Sequence, residues 1–144
     1  MTNIRHVGLV VDNLEQAINF YSTVFGFELI ARVMESGSYI ETLVGLMDVR
    51  LEWAKLADSR GLIIELLCYH SHPDAPYTPP VQRHGCSHAA FTVSDITESV
   101  KLLIAAGGTA GTIQQNPENT VRVVYARDPE GILLELVEEL SASQ

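Results

Sequence analysis

The sequence predicts an α+β fold built from two βαβββ modules, each with a mixed sheet. Residues 6–14 (HVGLVVDNL) align without a gap with residues 88–96 (HAAFTVSDI), so both copies open on the same plan. Residues 62–67 (LIIELL) align with residues 132–137 (ILLELV), so both copies close on the same kind of strand. Each alignment also matches a polar residue within an apolar run, which a chance similarity of apolar segments would not do.

A proline-rich stretch separates the two copies and sets the predicted boundaries. Four of the six prolines fall within residues 71–84, where they forbid a helix or a central strand. The first module is therefore predicted at residues 1–70, the linker at 71–84 and the second module at 85–140, together forming one structural unit.

Hydrophobic periodicity and capping residues predict the elements of the first module. A β-branched apolar run predicts a strand over residues 4–11. Apolar residues at helical spacing then predict a helix that begins after Asp12 or Asn13 and ends at Gly26. The first module is the longer one because of residues 35–48, predicted as a short helix or flap. Its further strands are predicted at 27–34, 50–57 and 62–69.

The second module repeats this order. Its helix is predicted over residues 96–106, where Gly107 and Gly108 end it. Residues 128–131 (DPEG) predict a turn, because proline presets one φ and glycine tolerates a positive one. Residues 141–144 are expected to form a frayed tail. The strands of this module are predicted at 87–93, 109–113, 120–128 and 131–138.

The charge of the chain excludes two classes of partner. Nine Lys and Arg residues against eighteen Asp and Glu residues give a net charge of −9. No basic surface is therefore expected to bind nucleic-acid phosphates or an anionic membrane. The N-terminal apolar run is interrupted by Asp12, and no run approaches the roughly 18 apolar residues of a membrane span. Since two cysteines make no disulfide framework, a cytoplasmic protein is expected.

Two histidines, His6 and His88, occupy equivalent positions in the first strand of each module. Side chains alternate between the two faces of a strand. A helix packed on Val7 and Leu9 therefore leaves His6 on the opposite, concave face. The same alternation leaves His88 on the concave face of the second module.

Two glutamates, Glu65 and Glu135, occupy equivalent positions in the last strand of each module. A carboxylate inside an apolar run is costly to bury without a compensating partner. Taken alone, such a glutamate more often pairs with Lys or Arg, and a lone histidine is more often structural. Recurrence in both modules favours one shared site, and two imidazoles with two carboxylates suit a divalent transition metal. The two modules are thus expected to form a metal-containing cleft.

These motifs together resemble the vicinal oxygen chelate superfamily, which includes glyoxalase I, methylmalonyl-CoA epimerase, extradiol dioxygenases and bleomycin-resistance proteins. The resemblance covers nearly the whole chain and implies the same paired-module fold. The residues that carry it are 6–14, 20–21 and 25–27 in the first half, then 63–66, 88–93, 128–131 and 134–136.

The resemblance implies both a site and a reaction. Glyoxalase-like members take one metal ligand from the first strand and one from the last strand of each module. They move a proton next to a metal-chelated carbonyl or thioester, which implies Glu135 as the base with Glu65 as its pseudo-symmetric partner. Epimerases often carry Gln at the position of Glu65, so Glu65 favours the glyoxalase-like branch. Carried over, the ligands of one divalent metal (Ni, Co, Zn, Mn or Fe) are His6, Glu65, His88 and Glu135.

Two alternatives stay open beside this lyase or isomerase. An Fe(II) extradiol-type dioxygenase would need His6, His88 and Glu135, and would leave Glu65 without a role. A non-catalytic small-molecule binding or resistance protein generally lacks the ligands. In each case the partner is a small molecule and a homodimer is expected, with the modules pairing within one chain or between two.

Other residues are candidates for supporting roles. Glu41 and Glu52 could act as second acid or base groups, with solvated surface positions as the alternative. Surface salt bridges are likewise the alternative for three arginines that could hold an anionic substrate tail: Arg50, Arg122 and Arg127. Structural or solvent-facing roles are expected for His70, His72, His84, Cys86 and Trp53.

Overall fold

The computed structural model describes residues 1–141, and these form two compact units. The first unit is Met1–Pro76 and the second begins at Tyr77. Each unit carries one βαβββ plan with a mixed sheet, which confirms the predicted α+β class. Of the expected frayed tail, residues 142–144 lie outside the described part of the chain.

The first unit folds as a four-stranded sheet in the order β1-β4-β3-β2. Strand β1 runs parallel to β4, and the other neighbours are antiparallel. The first strand is shorter than the predicted residues 4–11. The elements are β1 (Val7–Val10), α1 (Leu14–Phe25), β2 (Glu28–Ser36), α2 (Ser38–Val44), β3 (Arg50–Ala57) and β4 (Ile63–Tyr69).

Helix α1 begins and ends at the residues that the sequence offers as caps. The Asn13 side chain accepts a hydrogen bond from the Gln16 backbone N–H at 3.0 Å, which settles the choice between Asp12 and Asn13. Gly26 ends the helix in the left-handed conformation with a φ of 72°. The buried side of the helix, which includes Phe20, packs on β2, β3 and β4.

The sequence predicts that this helix packs on the sheet face of Val7 and Leu9, and the structure agrees on the face but leaves Val7 uncovered. The helix packs on β2–β4, whereas β1 is the edge strand of the sheet, so Val7 remains 42% exposed. The face is nonetheless the expected one. Ile64 and Leu66, the parallel partners of Val7 and Leu9, are buried.

The segment that lengthens the first module forms helix α2 between β2 and β3. Its buried Ile40 packs in a cluster with Val49 and Leu51, and Trp53 and Leu67 pack against this cluster. Trp53 and Leu67 are cross-strand partners, two residues from Lys55 and Glu65 respectively, so they share a face with Glu65. Helix α2 therefore covers part of the sheet face opposite α1.

The second unit folds as a sheet in the order β5-β9-β8-β6, with β7 paired to β8. Strand β5 is parallel to β9, as β1 is to β4 in the first unit. The elements are β5 (Ala89–Thr92), α3 (Ile96–Ala105), β6 (Thr109–Ala110), β7 (Gln114–Gln115), β8 (Val121–Arg127) and β9 (Leu133–Glu139).

The predicted continuous strand over residues 109–113 is wrong. Ala110 pairs with Ala126 and Gln114 pairs with Val123, so three residues on one side oppose two on β8. Such a mismatch breaks the hydrogen-bond ladder and divides the strand into β6 and β7.

Helix α3 is capped by Asp95, whose side chain accepts from the Glu98 backbone N–H at 3.0 Å. Ile96 and Leu103 form the buried side of this helix. Gly108 closes the turn that follows, where a Cβ would lie 2.6 Å from the Arg127 carbonyl oxygen. Within residues 1–141, no helix has the length and apolar character needed to cross a membrane.

Candidate functional site

His6 and Glu65 lie on one face of the first sheet. Gly8 pairs in register with Glu65, so alternation along β1 brings His6 to the same face. The His6 Nε2 atom lies 3.5 Å from Glu65 Oε1, and the two side chains are 30% and 14% exposed. The opposite face carries Leu66, which is fully buried. The strand alternation of the sequence predicts this arrangement.

A cation stands beside the first pair. Lys55 is the cross-strand partner of Glu65, and its Nζ atom lies 3.6 Å from Glu65 Oε2. The ammonium group also lies 4.8 Å from the centre of the Trp53 ring. The other ring nitrogen of His6, Nδ1, is buried and has no hydrogen-bond partner within the described chain. Glu65 thus has one permanent positive neighbour, and His6 has an unused donor or acceptor.

His88 and Glu135 repeat the arrangement in the second sheet. Ala90 pairs in register with Glu135, which brings His88 to the Glu135 face. The His88 Nε2 atom lies 2.9 Å from Glu135 Oε2. On the other side of the ring, His88 Nδ1 lies 2.9 Å from the Ser87 hydroxyl. The cross-strand partner of Glu135 is Tyr125, where the first unit has Lys55. The centres of the Tyr125 and His88 rings lie 5.1 Å apart.

The donor atoms of each pair suit a divalent metal. An imidazole lone pair and a carboxylate oxygen are both electron-rich, so they repel each other unless a proton or a cation lies between them. Two ligands bonded to one metal at about 2.1 Å lie roughly 3.0 to 3.4 Å apart. The observed separations of 3.5 Å and 2.9 Å lie close to that range. The Ser87 contact also provides the outer partner that orients a ligating histidine.

The structure thus joins the four predicted ligands as two pairs. In residues 1–141, no group of three or more His, Cys, Asp or Glu side chains comes together in metal-binding geometry. Each unit therefore presents one imidazole and one carboxylate.

Glu52 lies on the face opposite Glu65, which removes it from the acid or base candidates near that pair. It pairs with the buried Cys68 across the strands, and its Oε2 accepts from Arg32 Nε at 2.7 Å. Arg32 also contacts Glu15 of α1. His70 Nε2 lies 3.0 Å from Glu52 Oε1. The hydrogen bond from Arg32, followed by that from His70, lowers the pKa of Glu52.

Glu41, the other acid or base candidate, lies on α2. Its Oε2 atom is buried and has no hydrogen-bond partner in the described chain. Of the three arginine candidates, Arg122 bonds Glu138 at 3.3 Å and Thr97 at 3.2 Å, as a surface salt bridge would. Arg127 donates to the Gly131 carbonyl oxygen at 3.0 Å, and the Arg50 backbone N–H bonds the Ser71 hydroxyl.

Sequence reasoning missed Lys55 and Tyr125 as neighbours of the glutamates. Their positions follow from two equivalent turns, in which Asp58 and Asp128 each accept hydrogen bonds from the backbone N–H groups two and four residues later. These turns set the register that places Lys55 opposite Glu65 and Tyr125 opposite Glu135. The aspartates recur at the same spacing as the glutamates, and that signal was available in the sequence.

Comparison with known proteins gives one family. The model of the Glyoxalase/Bleomycin resistance protein/Dioxygenase superfamily matches residues 3–136. A probable lactoylglutathione lyase of Vibrio parahaemolyticus is 31% identical over 144 residues, which covers 97% of this chain and 93% of that protein.

Solved structures agree with this result. A glyoxalase family protein of Bacillus cereus superposes with a TM-score of 0.90 at 32% identity, covering 98% of this chain and 96% of that one. A mutant of the fosfomycin resistance protein FosX of Listeria monocytogenes, complexed with Mn(II), shares the fold with a TM-score of 0.65. The two sequences are 18% identical, and the match covers 94% of this chain and 89% of the FosX chain. The chain therefore belongs to the glyoxalase/bleomycin resistance protein/dioxygenase superfamily.

Proposed function

We propose that this protein is a divalent-metal-dependent lyase or isomerase that transfers a proton next to the carbonyl of a small-molecule substrate. The observation that carries the proposal is the matched pair of imidazole and carboxylate in each unit, at 3.5 Å and 2.9 Å. We also propose that the protein forms a homodimer and that it acts in the cytoplasm. The Vibrio relative, a probable lactoylglutathione lyase, supports the lyase class.

The proposed metal ligands are the four residues of the two pairs. Neutral imidazoles and carboxylates form a hard-to-borderline donor set that Mn, Fe, Co, Ni and Zn accept. The Mn(II) complex of FosX, a protein of the same fold, supports such a metal. When bound, the metal supplies Lewis acidity toward substrate oxygens. The ligands would be His6, Glu65, His88 and Glu135.

Glu135 is the proposed base, with Glu65 as its counterpart. The Lys55 ammonium compensates the charge of Glu65, at 3.6 Å, whereas the cross-strand partner of Glu135 is the uncharged Tyr125. Glu135 would thus take the substrate proton, while His88, 2.9 Å away, holds the carboxylate in position.

Metal titration tests the ligand set. The full-length protein, stripped with a chelator, is titrated with Mn(II), Co(II), Ni(II) and Zn(II) by calorimetry. One metal per chain is expected, and His88→Ala should abolish binding because half of one pair is lost. Glu139→Gln changes an exposed glutamate of β9, the strand of Glu135, and should bind metal normally. Two metals per chain, or undiminished binding by His88→Ala, would contradict a single four-ligand site.

Proton exchange tests the reaction. Hemithioacetals and acyl thioesters are incubated with metal-loaded protein in deuterated water, and uptake of deuterium next to the carbonyl is followed by NMR. Exchange that requires metal and Glu135 supports the proposal. Oxygen uptake with catechols by the Fe(II) form would instead identify a dioxygenase. Tight binding of a small molecule without turnover would identify a binding protein.

A further inference from the structure

A surface cavity of about 250 Å³, open to solvent, lies on the second unit. It is formed by the edge of the sheet and by one residue of the segment that precedes β5. Its lining is mainly apolar with one charged side chain. Its lining includes Val81, Thr109, Gly111, Tyr125, Arg127 and Leu133.

This cavity adjoins the His88–Glu135 pair. Tyr125 lines it and is also the cross-strand partner of Glu135, with its ring 5.1 Å from that of His88. Leu133 lines it from β9, two residues before Glu135 and therefore on the same face of the sheet. A molecule in the cavity would thus contact Tyr125 and Leu133, which share a sheet face with the carboxylate proposed as the base.

Arg127 is the charged side chain of this cavity. It is half-buried, and its Nη1 donates to the Gly131 carbonyl oxygen at 3.0 Å. The Gly131 carbonyl is the partner that the described second unit shows for Arg127, whereas Arg122 and Lys101 each pair with a glutamate. A guanidinium has five N–H donors, so this contact leaves donors of Arg127 for a bound anion.

We propose that this cavity binds the carboxylate of a small substrate, with Arg127 as its counter-charge. A planar guanidinium matches a carboxylate with two parallel hydrogen bonds, and the apolar lining suits a short aliphatic portion. The substrate class is therefore a small carboxylate-bearing carbonyl compound. This inference rests on the proposed function for the role of the bound molecule as substrate, but the binding itself requires neither the metal nor turnover.

A matched pair of probes isolates the charge. Isobutyrate and isobutyramide have nearly the same size, and only the first is an anion. Each is titrated into full-length, isotope-labelled protein while backbone NMR signals of Thr109, Gly111 and Tyr125 are followed. Isobutyrate should shift these signals and bind at least tenfold more tightly than the amide. Equal binding of the two probes would overturn the role of Arg127.

Variants then assign the binding to the cavity. Arg127→Gln should remove the preference for isobutyrate, and Arg127→Lys should keep it at lower affinity because the charge remains without the planar fork. Val81→Trp, at a site that is 51% exposed, should fill the cavity and weaken both probes without unfolding the chain. Arg60→Gln removes an exposed arginine of the first unit, outside the cavity, and should change nothing. Undiminished isobutyrate binding by Arg127→Gln or Val81→Trp would overturn the proposal.

A chelator separates this inference from the proposed function. The titrations are made with metal-loaded protein and with protein stripped by a chelator that is then removed by dialysis, because a probe carboxylate bound to a metal would be lost with the metal. Binding that persists in the stripped protein and depends on Arg127 supports the anion site, even if the metal and proton-exchange tests fail. Binding that disappears in the stripped protein overturns the Arg127 site and leaves the metal proposal intact.

Discussion

The two His–Glu pairs occupy equivalent strands and yet have different surroundings. In the first unit, Lys55 stands 3.6 Å from Glu65, and helix α2 covers the adjoining part of the same face. In the second unit, Tyr125 takes the position of Lys55, and a cavity that includes Arg127 adjoins the pair. The equivalent strands keep the same pair of histidine and glutamate, whereas the residues beside them differ. This comparison teaches that the two halves of such a site need not share one role.

The largest expected difference concerns catalysis. Glu135→Gln should lower kcat by about 10²- to 10⁴-fold, the usual contribution of a general base. Glu65→Gln should lower kcat less and weaken metal binding more, because Lys55 already holds the charge of Glu65. The measurements are kcat and metal affinity for both variants on any substrate that the exchange screen identifies, with Glu139→Gln as the control. Equal losses of kcat would erase the proposed division of roles.

Core packing should show how similar the two units are beneath the sites. Leu66 follows Glu65 on β4, and Leu134 precedes Glu135 on β9. Both leucines are fully buried. Truncation to Ala should lower the free energy of unfolding by about 2 to 5 kcal/mol in each case. Urea denaturation measures this, with Leu102→Ala as a control because Leu102 is 47% exposed. A cost below 1 kcal/mol at either buried site would contradict the packing described.

Lys55→Met should make the first pair resemble the second. Methionine keeps much of the volume of lysine and removes the cation, so stability should fall by about 1 kcal/mol in metal-free protein. Added metal should recover part of that loss, because it would compensate Glu65 in place of the ammonium. Thermal unfolding with and without metal is the measurement. Lys101→Met, which breaks an exposed pair on α3, should leave the transition unchanged with or without metal.

The smallest expected effect is a pH dependence that belongs to the first unit. Hydrogen bonds from Arg32 and then His70 lower the pKa of Glu52 from its ordinary value of 4.5. Because the folded pKa is the lower one, the stabilisation is present above pH 4.5 and is lost as the pH falls through the folded pKa.

Solvent screening keeps that contribution below about 1 kcal/mol. Stability curves between pH 3 and pH 7 should therefore differ between wild type and Glu52→Gln, with the difference shrinking toward acid. Glu139→Gln, an exposed glutamate of the second unit, provides the comparison. A difference that stays constant over this range would argue against the Arg32 contact as its cause.

Much of the candidate site could be predicted because strand alternation is a local property. Side chains along a strand alternate between its two faces with a period of two residues. This alternation predicts that His6 shares a face with Glu65 and that His88 shares a face with Glu135. Helix caps are also local, and Asn13 and Gly26 bound α1 as the sequence indicates. The errors fell at sheet edges. The bulge beside β8 and the exposure of Val7 both depend on which strand lies next to which.

The sequence by itself determined the two modules, their order of elements and the four residues proposed as ligands. Only the tertiary structure decided what stands beside each ligand. Lys55 and Tyr125 reach the glutamates through the register that the Asp58 and Asp128 turns impose. The pairing of Glu52 with Arg32 also joins residues that are distant in sequence. Such contacts arise when strands come together, so no local pattern records them.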